Sequence, residues 1–194
     1  MSLPEEMLPE IDSKGKLSGR AYARTFVHSE GILHPVVRVW LYRGDGTILL
    51  QKRSLTKKTC PGLWDCSVAG HVSAGQSCVL AATREIQEET GYSLEPNKLH
   101  KVHEALEEWC SQDALIVDRE FQYTYVAALE PDAGEPRLEP GEADAFRFVT
   151  RAELSERAQA ERDATARGEP ASFVYHPGEI QAVIDFLWNV LPNR

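Results

Sequence analysis

The sequence predicts an α/β protein in which a mixed sheet carries helices on its faces. Three observations lead there. Residues 36–43 and 47–53 are apolar-rich runs joined by Gly44-Asp45-Gly46, the pattern of two strands and a tight turn. Residues from about Ser77 to Thr90 run without Pro or Gly and stop at Gly91, which predicts a helix. Ile180, Val183, Ile184, Leu187 and Leu191 follow the helical period after Pro177, which predicts a closing helix docked on the core.

In chain order, residues 1–30 are polar and Gly-punctuated and read as an extended N-terminal arm with one or two short strands. Residues 31–194 then read as one domain that includes the C-terminal helices, a size that suits a single core. The run Ile48-Leu49-Leu50 predicts a strand buried on both faces. Ser54 to Gly62 is a basic loop, and Trp64 to Ala69 reads as a strand leading into Gly70. Strands are expected at His100–Glu107, Phe121–Leu129 and Phe146–Val149, with a loop or hairpin over 107–119 and a surface connection over 130–143. Thr150 and Glu153 have capping-box spacing at the start of a helix whose low apolar content predicts a surface position.

Composition narrows the function. The 194 residues are 42% hydrophobic and 26% charged, as expected for a globular protein, and no apolar run approaches the ~20 residues of a membrane span. The N-terminus lacks a signal-peptide pattern, so cytoplasmic residence is the expectation. A net charge of -9 argues against a general nucleic-acid binder, though not against a phosphorylated small molecule. Cys60, Cys66, Cys78 and Cys110 form no CxxC pair and read as reduced, structural thiols.

The chemistry concentrates between Gly70 and Tyr92. On the expected helix Glu85, Glu88 and Glu89 fall within about one 100° sector, beside an apolar stripe of Val79, Ala82 and Ile86. Three carboxylates on one ridge suit a hard divalent cation shared with phosphate oxygens. A glutamate-rich helix face is by itself more often solvated surface. The wider spacing changes that reading. Gly70, Arg84, Glu85, Ile86, Glu88, Glu89 and Gly91 stand in register with the pattern Gly, five residues, Glu, seven residues, Arg-Glu-aliphatic-x-Glu-Glu-x-Gly. Seven such coincidences are on the order of one in ten million per register. That pattern is the Nudix box. Gln76 replaces its first Glu, keeping shape but losing a charge, and Tyr92 replaces an aliphatic residue.

From His34 to Val126 the chain resembles the Nudix branch that groups isopentenyl-diphosphate isomerases with related hydrolases, through LHPVVRVWLYRGDGTILLQKRSLTKKTCPGLWDCSVAGH and VDREFQYTYV. The resemblance implies a Nudix α/β/α sandwich and an Mg2+- or Mn2+-dependent pyrophosphohydrolase. It implies Gly70, Glu85, Glu88, Glu89 and Glu120 at the metal, Arg84 orienting the glutamates, and Arg53 and Lys57 on the diphosphate. His34, His71, Asp118 and Glu120 resemble metal ligands of the isomerases. The isomerases' catalytic Cys falls at Ala69, which favours hydrolysis; a divergent isomerase or a non-catalytic diphosphate sensor are the alternatives. The expected partner is a small-molecule diphosphate, with no nucleic acid or membrane, and the sequence leaves a homodimer open. Trp64, Trp109, Phe121 and Tyr123 could stack on a base but read more readily as core.

Overall fold

The computed structural model describes residues 5–110 and 117–191. A hairpin of β1 (Met7–Ile11) and β2 (Leu17–Ala23) leads into a short helix α1 (Arg24–Glu30). Then follow β3 (His34–Tyr42), β4 (Ile48–Arg53), β5 (Trp64–Asp65) and β6 (Val68–His71). The box helix α2 (Cys78–Thr90) precedes β7 (His100–Cys110), β8 (Val117–Ala128) and β9 (Ala143–Val149), and α3 (Arg151–Ala166) and α4 (Pro177–Val190) close the chain.

β3 is the axis of the seven-stranded sheet. Its order is β5-β4-β3-β8-β7, with β6 also on β3 and β9 also on β4. β3 and β8 run parallel, pairing His34 with Glu120 and Arg38 with Thr124; the other pairings are antiparallel. All nine β3 residues are buried, because both faces are covered. Val37, Val39 and Leu41 pack with Leu49 against Ala82 and Ile86 of α2. On the other face Trp40, Tyr42 and Leu50 pack under Leu154 of α3 and Ile180, Val183 and Leu187 of α4. The α/β/α sandwich and mixed sheet are as the sequence predicts.

Local chemistry explains the joints. Gly46 has φ 86, and Asp45 Oδ1 accepts from the Thr47 amide at 2.9 Å, which closes the β3–β4 turn. Ser77 caps α2, and Gly91 ends it at φ 77. Thr150 and Glu153 form the expected capping box on α3.

Two local expectations need correction. The strand expected at 64–69 is broken into β5 and β6, because Ser67 fills the gap where β4 diverges from β3. Its hydroxyl donates to the Leu49 carbonyl at 2.6 Å and accepts from the Leu41 amide at 2.8 Å. The arm is not wholly extended: residues 24–30 form α1, stopped by Gly31 at φ 62. Within 107–119, expected as a loop or hairpin, β7 runs on to Cys110 and β8 starts at Val117, paired antiparallel, with 111–116 outside the described residues.

Candidate metal and diphosphate site

α2 and β6 face each other across Gly70. A Cβ at Gly70 would overlap the Glu85 carboxyl group, so only glycine lets that side chain lie against the strand. Glu85 is held there by Arg84, whose Nη2 lies 2.9 Å from Glu85 Oε1. The same guanidinium reaches Glu88 Oε2 at 2.8 Å and the His71 carbonyl at 3.0 Å. Arg84 therefore ties the ridge to β6, and Gln76 joins the group through its Oε1, 3.5 Å from Arg84 Nη2.

The three ridge glutamates do not converge. Glu85 is nearly buried, Glu89 is buried and accepts from Gln51 Nε2 at 2.6 Å, and Glu88 stands 57% exposed. Burial pushes the Glu85 carboxyl up to about 7 and Glu89 up to about 8. Both sites therefore favour a proton until a cation replaces it.

A second cluster adjoins the first at His71, the residue that follows Gly70 on β6. His28 of α1, His34 of β3 and His71 of β6 bring their rings to 5.2 Å separations. One ring nitrogen from each lies within 4.8 Å of the others, and His34, Asp118 and Glu120 meet the same limit. The Ile32 carbonyl lies 2.9 Å from His34 Nδ1, which assigns the proton to Nδ1 and leaves Nε2 as an acceptor. Nε2 then faces Asp118 Oδ1 at 3.8 Å, and both atoms are buried without a hydrogen-bond partner among the described residues. Burial lowers all three histidines, His28 to about 4, and raises Asp118 and Glu120. Neutral imidazoles beside carboxyl groups, with two buried acceptors facing each other, fit a divalent cation. A mixed nitrogen–oxygen set suits a transition-metal ion, whereas an all-carboxylate ridge suits a hard cation.

His34, His71, Asp118 and Glu120 are thus brought together as their resemblance implied, while His28 went unforeseen. It sits in the arm, with no local motif to mark it, and reaches the cluster because α1 folds back against β8. Arg53 and Lys57 lie on the basic loop and its strand, each already engaged. Arg53 Nη1 donates to Asp65 Oδ2 at 3.1 Å, and Lys57 Nζ pairs with Glu142. Phe121 is buried in the small apolar cluster with Ile11 and Leu33, and Tyr123 packs against it. Trp64 packs on the α4-side core, and Trp109 is 44% exposed.

The fold and the box together define a protein of the Nudix class. Residues 32–168 match the family model for the NUDIX domain, and the chain belongs to the Nudix family. "Nudix hydrolase 3" of Arabidopsis thaliana is 31% identical over 195 residues, covering 99% of this chain and 24% of that protein. The chain therefore spans about a quarter of that relative's length. An isopentenyl-diphosphate Delta-isomerase of Serratia proteamaculans is 30% identical over 155 residues, covering 78% of this chain and 80% of that protein. Among solved structures, a Deinococcus radiodurans protein aligns with a TM-score of 0.61 at 18% identity, covering 97% of this chain and 100% of that one. The Nudix domain of Shewanella oneidensis NrtR, solved with ADP ribose, aligns at 0.55 and 13% identity, covering 79% of this chain and 87% of that one. At those identities the structural likeness concerns the fold. Nudix hydrolases generally require a divalent metal, and no helix among the described residues is long and apolar enough to cross a membrane.

Proposed function

We propose that the protein hydrolyses a diphosphate linkage in a nucleoside diphosphate-X or related organic diphosphate, with Mg2+ or Mn2+ as cofactor. The observation that carries this reading is the seating of Glu85 against Gly70, held by Arg84 within a box that departs from its pattern at Gln76 and Tyr92. The Gly70 carbonyl, Glu85, Glu88 and Glu89 on the ridge side and Glu120 in the histidine cluster are the groups that would hold one or more cations. When bound, the cation offsets charge on the diphosphate and its leaving oxygen and lowers the pKa of water.

The protein groups divide the remaining work. Arg84 orients Glu85 and Glu88 through charge-assisted hydrogen bonds. Glu88 is the carboxylate better placed to accept the proton of the attacking water, since it is open to solvent. Burial and the neighbouring Asp118 raise the Glu120 carboxyl above its ordinary value, and its place beside His34 suits it to binding rather than to proton transfer. Arg53 at the end of β4 and Lys57 on the loop that follows it contact the diphosphate.

A second reading, isomerisation of an isopentenyl-diphosphate-like substrate, draws on the three-histidine, two-acid cluster. Against it stands Ala69, which offers no thiol for proton transfer to carbon. Release of phosphate or of phosphomonoester products from a panel of organic diphosphates, with and without EDTA, followed by chromatography and mass spectrometry, tests the choice. EDTA-sensitive release from at least one diphosphate supports hydrolysis. A rearranged product without release supports the isomerase, and a ligand-induced thermal shift with neither supports a sensor.

A further inference from the structure

A chain of alternating charges crosses the interior on the α4 side of the sheet. Glu179, in the first turn of α4, is 2% exposed, and its Oε1 accepts from Arg38 Nε at 2.9 Å and Trp40 Nε1 at 2.8 Å. Arg38, 4% exposed, donates through Nη2 to Asp65 Oδ1 at 2.6 Å. Asp65, 1% exposed, also accepts from the Cys66 amide at 2.7 Å and passes its second oxygen to Arg53 Nη1 at 3.1 Å. Arg53, at the end of β4, completes the chain against the basic loop. Its Nε and Nη2 donate to the Thr59 carbonyl at 3.2 and 3.0 Å, and Nη2 donates to Thr59 Oγ1 at 3.1 Å.

Stability alone does not account for this arrangement. Buried ion networks are commonly no more stabilising than apolar packing of equal volume, because each ion loses its hydration. Glu179 Oε2, moreover, is buried without a partner, a further penalty that a purely cohesive network would not carry. What the chain does achieve is orientation. It fixes a guanidinium at the head of the loop 54–62, leaving an Nη1 hydrogen for an incoming oxygen. The Lys57–Glu142 pair on the same loop is different, since its side chains are 27% and 38% exposed and can exchange partners with an anion.

We propose that Asp65 and Glu179 are positioning residues for the diphosphate. Through Arg38 they tie the C-terminal helix to Arg53 and hold its guanidinium in the anion-binding orientation. The inference rests on the reading that Arg53 contacts the diphosphate.

The test is a double-mutant cycle of Asp65→Asn and Arg53→Gln, with Glu179→Gln as a milder perturbation at the far end of the chain. Folding of each variant is checked by circular dichroism and thermal melting. Affinity for inorganic pyrophosphate with Mg2+ is read by calorimetry, and KM and kcat are read on the best diphosphate of the panel. Asp65→Asn should weaken pyrophosphate binding and raise KM about tenfold, the effect of degrading one charge-assisted hydrogen bond. Its kcat should stay within about twofold of the parent. In the Arg53→Gln background the same change should add nothing, because its effect runs through Arg53. Glu179→Gln should shift KM in the same direction by a smaller factor and should do so even where Asp65→Asn fails to fold. Additive losses, a fall in kcat at constant KM, or unchanged affinity in folded Glu179→Gln would overturn the proposal. Pyrophosphate binding that couples in this way, in a protein that hydrolyses no diphosphate, would leave the proposal standing and remove the hydrolase reading instead.

Discussion

Glu89→Gln gives the most informative single perturbation of the box, because it removes a buried ionisable group while keeping the side chain's shape. Burial raises Glu89 from an ordinary 4.5 to about 8. The folded state thus binds a proton that the unfolded chain has already released, and stability must fall as pH rises toward the folded value. His28, His34 and His71 act in the opposite sense. They are lowered from 6.5, so their contribution is lost as pH falls below that value and is complete above it. The window from pH 6.5 to 8 is therefore where the glutamates govern. Across it Glu89 alone should remove roughly 1.5 kcal/mol of unfolding free energy in metal-free buffer. Urea denaturation of the parent and Glu89→Gln in EDTA, at intervals of pH through this window, reads the difference directly. The parent should lose stability relative to the variant as pH rises, and added Mn2+ should reverse the trend by binding the ionised carboxylate. A pH-independent difference between the two proteins in EDTA would refute the reasoning.

Other perturbations separate the parts of the site. Gly70→Ala should abolish most activity while the protein still folds, because the new Cβ displaces the Glu85 carboxyl; steady-state kinetics and a melting curve check both halves. Glu88→Gln should lower kcat by orders of magnitude with little change in melting temperature, since the side chain is open to solvent. His28→Ala should weaken Mn2+ binding measured by calorimetry at least tenfold, and unchanged affinity would remove His28 from the cluster. Thr150→Ala should destabilise α3 by about 1 kcal/mol in urea titrations through loss of the capping box, without altering activity.

What the sequence made legible was whatever a local period or a turn residue encodes. α2 could be read from Ser77 to Gly91 because its cap, its stop and its apolar stripe are contiguous. β3, β4 and their turn could be read for the same reason, through Gly46 and Asp45. The interruption at Ser67 was hidden, because its cause is the divergence of two other strands. Glu179 gave no sign of its burial, since an acid in the first turn of a helix suits solvent equally well. Its partners Arg38 and Trp40 lie 141 and 139 residues away. His28 was concealed likewise by a contact that only the fold of the arm creates. The ridge was visible as a pattern, yet its side chains separate into a seated, a buried and an exposed glutamate. Helical spacing fixes where the Cα atoms lie and leaves the partners to Gly70, Gln51 and Arg84.

The central claim is that water attacks phosphorus in a bound diphosphate. Turnover of a responsive diphosphate in 18O-labelled water, followed by mass spectrometry of the products, tests it most directly. The account predicts one 18O atom in a phosphate-containing product, formed only while a divalent cation is present. An unlabelled product of the same mass as the substrate would contradict it.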